Sequence, residues 1–247
     1  MKAIKVQAPG TVANLVCGFD VLGMCLHAPH DVMEVTLINE KIIKIKSADG
    51  YNLPSDPALN TAGAPLIEML NEIDEEVGFD ILIHKNIKPG SGLGSSAASA
   101  AGAVVAANLL LNGRFSNEDL VRFAMFGEKV ASGVKHADNV APCIYGGITL
   151  IRSIFPLDII SIPAPDLFVT VVHPQIEVKT ADARQILRKE VLLKDAIKQW
   201  GNIAGLVAGF MKNDHDLVSR SLEDVIIEPV RSILIPGFDE VKLKSKD

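Results

Sequence analysis

The chain has 247 residues, of which 48% are hydrophobic and 22% are charged, and its formal net charge at pH 7 is −6. This length and apolar fraction predict a globular protein with one large domain or two modest ones. The negative net charge argues against a nucleic-acid partner. The longest apolar run, residues 97–111, is too short to cross a bilayer, and the chain begins with a strand-like segment rather than a signal peptide. Its three cysteines, Cys17, Cys25 and Cys143, lack metal-binding spacing, so we expect a cytoplasmic protein with reduced thiols and no membrane partner.

The first half of the chain alternates between strand-like and helix-like patterns. Residues 4–8 predict the first strand, and residues 9–23 predict a loop that carries Asn14 and Asp20. The elements that follow are predicted to be a hairpin of strands 32–38 and 42–47 that turns near 39–40, a loop over 52–60, a helix over 61–76 and a strand over 79–85. This strand leads directly into a glycine-rich segment.

The glycine-rich segment, residues 89–98, reads PGSGLGSSAA and is the most informative stretch of the sequence. Glycines at 90, 92 and 94 allow backbone N–H groups to approach a ligand closely. Ser95 and Ser96 are predicted to cap the helix that follows, which runs over residues 95–111 and is almost free of polar residues. A glycine loop at the positive end of a buried helix is a site for an anion, and phosphate is the usual one.

Two common nucleotide-binding loops do not fit this segment. A Walker A loop needs Lys followed by Ser or Thr after its last glycine, whereas Ser95 and Ser96 follow Gly94 here. A dinucleotide fingerprint needs a second strand that ends in an acidic residue, whereas residues 116–120 begin a helix. The glycines alone leave two alternatives open, a tight turn before a core helix and a phosphate loop of another kind.

The second half of the chain is predicted to be richer in helices. The predicted elements of its first part are a helix over 117–131, an irregular segment over 133–142, a strand starting at 146 and a strand over 167–173. Helices are predicted after that over 180–187, 192–211 and 216–224, and the charged C-terminal segment from 241 also has a helical pattern. Prolines become frequent over 155–165, which favours a domain boundary there. The sequence thus predicts an α+β protein with domains 1–154 and 155–247.

Several polar residues have the chemistry that phosphoryl transfer requires, which is charge neutralisation, a metal ion and an oriented acceptor hydroxyl. Glu128 and Ser96 carry oxygen ligands suited to Mg2+. Residues 135–139 place a lysine, a histidine, a carboxylate and a carboxamide in an otherwise apolar region, which suits either a substrate loop or a capped turn. Arg184 and Arg231 suit a substrate carboxylate, although isolated surface arginines are also common. The side chains of Asn14 and Asp20 suit the ammonium group of the same substrate.

Several of these motifs together resemble those of a known family. Residues 89–98 resemble the second signature of the GHMP kinases, and four further stretches narrow the resemblance to homoserine kinases. These stretches are APGTVANL (8–15) with GFDVLG (18–23), PSDPALN (54–60), VKHADNVAP (134–142) and IEPVR (227–231). The resemblance covers essentially the whole chain. It implies a two-domain fold, with an N-terminal domain like ribosomal protein S5 domain 2, which contains a left-handed βαβ crossover, and a ferredoxin-like C-terminal domain.

The resemblance also implies an activity, which is the ATP-dependent phosphorylation of the side-chain hydroxyl of L-homoserine in threonine biosynthesis, with Mg2+ as cofactor. The residues that would bind the nucleotide are Asn60, near the adenine, and Pro89, Gly90, Ser91, Gly92, Leu93, Gly94, Ser95 and Ser96, around the phosphates. Those that would bind Mg2+ are Ser96 and Glu128. Those that would bind homoserine are Asn14, Asp20, His136, Asn139, Arg184 and Arg231. A homodimer is implied as well.

His136 and Asn139 would be the catalytic residues. Asn139 falls where mevalonate kinase-like relatives have a catalytic aspartate, and an amide takes no proton at neutral pH. The resemblance therefore implies that the substrate hydroxyl attacks directly, that its proton passes to the γ-phosphate, and that Asn139 orients the hydroxyl. This chemistry fits a loose transition state in which positioning dominates.

One feature departs from the family pattern. Family members carry a third signature near the C-terminus, similar to Gly-Ser-Gly-Pro-Ser, and this chain has no such stretch. We therefore expect the C-terminal domain to be incomplete. Two alternatives remain at this level: a kinase for another small alcohol of the mevalonate type, and a nucleotide-binding sensor without catalysis.

Overall fold

The computed structural model of the chain describes residues 2–48, 50–172, 174 and 180–245. It divides into two compact units, the first made of Met1–Ala13 and Asp20–Ser161, and the second made of Asn14–Phe19 and Ile162–Asp247. Strands and helices are mixed, so the α+β class predicted from the sequence is confirmed. The division of the chain into two domains at residue 154 stays a prediction.

The first unit is built on a six-stranded sheet. In chain order its strands are β1 (Ala3–Ala13), β2 (Leu22–Ile38), β3 (Ile43–Ser47), β4 (Gly78–His84), β5 (Ile148–Ile154) and β6 (Leu157–Ile162). The long strand β2 pairs antiparallel with β1, β4 and β5, and β3 pairs parallel with β4. Buried residues alternate with less buried ones over residues 31–35 of β2 and over most of β4, and they include Met33, Val35, Phe79 and Ile81. One face of this part of the sheet therefore forms the core.

The predicted hairpin of β2 and β3 is wrong. β4 lies between these two strands, and β3 joins the sheet parallel to β4 through a helical crossover. The turn-like residues 39–40 suggested a local pairing, whereas the stable register is the non-local one that buries Phe79 and Ile81.

Two other predicted segments also need correction. The loop predicted over 9–23 is irregular only between the end of β1 and the start of β2. The strand predicted over 167–173 does not form in its described part, residues 167–172, which are exposed and have no sheet partner there. Residue 173 lies outside the described residues.

The helices of the first unit pack against one face of the sheet and against each other. They are α1 (Gly63–Asn71), α2 (Ser95–Leu110), α3 (Asn117–Ser132) and α4 (Val140–Tyr145). The predictions for α2 and α3 are confirmed, α1 is shorter than predicted, and α4 forms where an irregular segment was expected to reach 142. A capping box between Ser116 and Asp119 starts α3, and Gly133 ends it in a left-handed conformation.

Helix α2 is buried on nearly all sides, and most of its residues are small ones: alanine, serine and glycine. Small side chains let neighbouring elements approach closely. A Cβ added at Gly127 of α3 would lie 2.6 Å from the Ala100 Cβ of α2 and 2.4 Å from the backbone oxygen of Thr61. The close contact of α2 and α3 therefore requires glycine at position 127.

The second unit consists of helices in its described part. They are α5 (Thr180–Gln185), α6 (Leu193–Lys212), α7 (His215–Ser221), α8 (Glu228–Arg231) and α9 (Phe238–Lys244). Buried Gln199 of α6 donates a hydrogen bond to the Cys17 oxygen at 2.7 Å and accepts one from the Val225 N–H at 3.0 Å. These bonds fix residues 14–19 against α6. Across the described ranges, none of the helices combines the length and apolarity that crossing a membrane would require.

We predict that Gly127→Ala lowers the free energy of unfolding by about 1–3 kcal/mol, because the new methyl group overlaps backbone and side-chain atoms. Urea titration followed by circular dichroism measures this loss. Gly201→Ala on α6 is the matched control, since a Cβ there meets no atom within 4 Å and alanine favours a helix over glycine by about 1 kcal/mol. Equal stability of wild type and Gly127→Ala would contradict the tight packing.

Candidate active site

The glycine loop connects β4 to α2 with a backbone that only glycine adopts easily. Gly90, Gly92 and Gly94 have φ values of 76°, 79° and 64°. Gly94 is the residue that directly precedes the first turn of α2. Alternation of left-handed and ordinary conformations turns successive N–H groups toward one side, which forms a concave anion site. The structure thus places a loop of the predicted type at the positive end of a buried helix.

The two serines after the loop do not cap the helix, contrary to the sequence prediction. The N-cap residue of α2 is Gly94, which makes no side-chain capping bond. Ser95 Oγ instead donates to the Ile87 backbone oxygen at 2.8 Å, and Ser96 Oγ donates to Glu128 Oε1 at 2.7 Å. The first N–H groups of α2 therefore receive no side-chain acceptor from these residues, which leaves them suited to an anionic ligand.

The contact between Ser96 and Glu128 joins the two residues predicted to bind a metal ion. Glu128 lies on α3, and its side chain is buried with only 6% of the residue exposed. Burial raises the pKa of this carboxyl above its ordinary value, and the hydrogen bond from Ser96 partly opposes the increase. The hydroxyl at the start of α2 and the carboxylate of Glu128 thus lie side by side, and both offer oxygen atoms.

A buried ion pair that the sequence analysis missed lies beneath the loop. Lys85 Nζ forms a salt bridge with Asp31 and also donates to the Ser95 backbone oxygen at 3.0 Å and to Ser99 Oγ at 3.1 Å. The other oxygen of Asp31 accepts from the N–H groups of Asn86 and Ile87 at 2.8 and 2.9 Å. A single pair therefore fixes both the segment that leaves β4 and the first turn of α2.

Strand periodicity could have revealed this pair. Asp31, Met33 and Val35 occupy every second position of β2 and are all buried. Lys85 continues the same alternation after the buried residues Ile81 and Ile83 of β4. Side chains two residues apart on a strand face the same side. Charged residues at the core-facing positions of two strands should therefore be expected to pair.

Residues 134–139 bring two further predicted residues close to other parts of the first unit. His136 Nδ1 lies 3.9 Å from Asp20 Oδ1. Asn139, the residue before α4, accepts a hydrogen bond on Oδ1 from Thr11 Oγ1 at 2.8 Å. The Lys135 ammonium lies 3.4 Å from the centroid of the Phe126 ring, so it is held against α3.

Asn60 is buried, and its side chain holds the turn before α1. Its Nδ2 donates to the Pro54 oxygen at 2.7 Å, and its Oδ1 accepts from the Ala62 N–H at 2.8 Å. Both ends of the amide therefore have backbone partners. That Asn60 lies near the adenine stays a prediction.

In the second unit, the predicted substrate residues Arg184 and Arg231 approach the same aromatic ring. Their guanidinium carbons lie 5.3 and 5.8 Å from the centroid of Phe19. Asn14 starts the segment that contains Phe19 and has a φ of 71°, and its backbone oxygen accepts from the Gly18 N–H at 2.8 Å. Two arginines far apart in sequence are thus brought to one ring, which sequence spacing alone does not indicate.

Comparison with known proteins places these features in a family context. Residues 61–147 match the family model for the GHMP kinases N terminal domain. The chain is 47% identical to a homoserine kinase of Chlorobium phaeobacteroides, over 98% of this chain and 80% of that protein. It is 45% identical to a homoserine kinase of Methanococcus maripaludis, over 100% of this chain and 82% of that protein.

Solved structures show the same similarity. A homoserine kinase from Cytophaga hutchinsonii superposes with a TM-score of 0.88 at 46% identity, covering 98% of this chain and 78% of that one. The mevalonate kinase of Methanococcus jannaschii superposes with a TM-score of 0.54 at 15% identity, covering 88% of this chain and 73% of that one, which shows a shared fold only. The expected fold class is therefore confirmed.

The buried carboxyl of Glu128 predicts a pH-dependent stability. Because its pKa is raised in the folded state, the folded protein holds this proton more tightly than the unfolded chain, whose glutamate pKa is about 4.3. This contribution favours folding below about pH 4.3 and decreases as pH rises through the folded-state pKa. Glu128→Gln should remove this pH dependence and raise the free energy of unfolding at pH 8, because the neutral amide avoids the desolvation of a buried carboxylate.

Urea titrations at a series of pH values measure this effect, with Glu118→Gln as control because Glu118 lies exposed on the same helix. A Glu128→Gln variant with the pH profile of the wild type would show that the carboxyl is not buried as described.

Proposed function

This chain belongs to the homoserine kinase family of the GHMP kinases, and we infer that it transfers the γ-phosphoryl group of ATP to the side-chain hydroxyl of L-homoserine. The observation that carries this inference is the match to homoserine kinases along nearly the whole chain. The product would be O-phospho-L-homoserine, an intermediate of threonine biosynthesis.

We propose that residues 89–96 bind the phosphates of ATP. The support is the positive φ values at Gly90, Gly92 and Gly94, and a glycine at the N-cap of α2 that makes no side-chain capping bond. Backbone N–H groups and the helix dipole both favour negative charge at this point. Asn60 would contribute at the adenine by shaping the turn between Pro54 and Ala62.

We propose Ser96 and Glu128 as the residues that hold Mg2+. A hydroxyl and a buried carboxylate, 2.7 Å apart, fit an ion that prefers oxygen ligands and usually uses one or two carboxylates together with substrate phosphates. Among the described residues, no group of three or more His, Cys, Asp or Glu side chains is placed to hold a metal ion. When bound, the ion neutralises charge on the transferring phosphoryl group.

For homoserine, we propose that the arginines bind the carboxylate and that Asn14 and Asp20 bind the ammonium group. Bidentate recognition of a carboxylate is the usual role of a guanidinium. The shared approach of Arg184 and Arg231 to Phe19 supports a common role. His136 would complete the set, since it lies near Asp20.

The catalytic step we propose uses no strong general base. The homoserine hydroxyl oxygen forms a bond to the γ-phosphorus, the bond from phosphorus to the bridging oxygen of ADP breaks, and the hydroxyl proton moves to a γ-phosphate oxygen. Asn139, whose amide takes no proton at neutral pH, orients the hydroxyl. Positioning and neutralisation of charge then account for most of the acceleration.

We also propose a cytoplasmic homodimer. The use of ATP, a cytoplasmic metabolite, supports the location, and the family resemblance is the support for the dimer.

The direct test is release of ADP from Mg-ATP by this chain with L-homoserine, run beside mevalonate and L-threonine. We predict release that depends on homoserine and is absent with mevalonate, which has no ammonium group for Asp20. Release with mevalonate but not with homoserine would identify a different small-alcohol kinase. Nucleotide binding without release on any acceptor would identify a sensor.

Arg231→Gln tests recognition of the carboxylate. We predict that the KM for homoserine rises by about 10- to 100-fold, because a charge-assisted hydrogen bond is lost, while the KM for ATP stays unchanged. Homoserinol, which lacks the carboxylate, should be used equally poorly by wild type and variant. Arg220→Gln, an exposed arginine of α7, is the control. An unchanged KM for homoserine in Arg231→Gln would refute this role.

A further inference from the structure

We propose that Thr11 is a positioning residue for the phosphoryl transfer, because its hydroxyl fixes the carboxamide of Asn139 with the NH2 group presented to the substrate. This inference rests on the proposed function and assigns Asn139 the chemistry of a hydrogen-bond donor. Thr11 is wholly buried at 0% exposure, and its Oγ1 donates to Asn139 Oδ1 at 2.8 Å.

The backbone of β1 turns Thr11 toward this site. Along β1 the more buried positions are the even ones, from Ile4 to Gly10. The register with β2 shifts between Pro9 and Thr11, so the alternation is broken and odd-numbered Thr11 is buried. Irregularities of this kind commonly re-aim a side chain beside an active site.

Thr11 also contacts the glycine loop, so it links the loop to Asn139. Its backbone N–H donates to the Leu93 oxygen at 3.1 Å. A Cβ added at Gly94 would lie 2.0 Å from Thr11 Oγ1 and 3.0 Å from Asn139 Oδ1. Three groups from β1, the loop and the start of α4 therefore meet at one point, where the loop has no room for a side chain.

The hydrogen bond decides what Asn139 offers to a ligand. A carboxamide has one acceptor oxygen and an NH2 group with two donor hydrogens. Thr11 occupies one of the two lone pairs of this oxygen and thereby fixes the orientation of the amide. In this orientation the NH2 group is the end that binds the acceptor hydroxyl. A donor directed at one lone pair of the hydroxyl oxygen leaves the second lone pair for phosphorus and leaves the O–H proton for a γ-phosphate oxygen.

The experiment is a double-mutant cycle measured with [γ-32P]ATP and L-homoserine, which detects slow turnover. It compares wild type with Thr11→Val, Asn139→Ala and the double variant. Thr11→Ser keeps the hydroxyl, and Thr149→Val is the matched control. Thr149 is a wholly buried threonine on β5, and its hydroxyl has no partner among the described residues. Circular dichroism melts confirm that each variant is folded.

We expect Thr11→Val to lower kcat by about 10- to 100-fold, since small misplacements of an orienting group cost this much, and to leave the KM for ATP nearly unchanged. Thr11→Ser should recover most of the rate, and Thr149→Val should equal wild type. In the Asn139→Ala background, Thr11→Val should have no further effect, because the residue acts through Asn139.

Equal losses from Thr11→Val in the wild-type and Asn139→Ala backgrounds would overturn the inference, as would a loss in Thr149→Val as large as that in Thr11→Val. In both cases the wild type still turns over homoserine, so the proposed function stands. A wild type with no homoserine-dependent turnover would instead overturn the proposed function, and the inference with it.

Discussion

The structure of the site depends on the buried ion pair of Lys85 and Asp31. Lys85 binds the first turn of α2 through the Ser95 oxygen and Ser99 Oγ, and Asp31 binds the N–H groups that follow β4. Desolvation lowers the pKa of Lys85, and the attraction of Asp31 opposes that change. A buried pair is weak evidence for net stability, because desolvation offsets much of the attraction, but loss of either partner is costly. Its evident effect is to fix both ends of the glycine loop.

A loop with fixed ends can hold an otherwise unfavourable conformation. Gly90, Gly92 and Gly94 remain in the left-handed region without a side chain that competes for space, and the N–H groups of α2 stay unused by Ser95 and Ser96. A phosphate site organised in advance loses little conformational entropy when ATP binds. The chemistry we propose relies on such positioning, since it assigns no strong base to the protein. Local order around the loop thus supports the mechanism directly.

The sequence predicted the loop, α2 and α3 because their signals are local: three glycines, a run almost free of polar residues and the helix start at residues 116–120. It failed where long-range contacts decide. The predicted pairing of β2 with β3 is wrong because β4 lies between them. The approach of Arg184 and Arg231 to Phe19 cannot be read from the positions of these residues in the sequence. The hydroxyls of Ser95 and Ser96 were predicted to cap α2 because serine is common at helix starts. In the structure they donate instead to the Ile87 oxygen and to Glu128. Thr11 was missed because a break in strand alternation is invisible before the register is known.

The most direct test of the account follows the transferred oxygens. ATP labelled with 18O at the non-bridging γ-oxygens is incubated with Mg2+, unlabelled L-homoserine and the protein, and the products are analysed by mass spectrometry. Direct attack by the hydroxyl predicts phosphohomoserine that carries every labelled oxygen, with an unlabelled ester oxygen from the amino acid. Labelled inorganic phosphate without any phosphohomoserine would show that water is the acceptor, and would contradict the assignment of this site to homoserine phosphorylation.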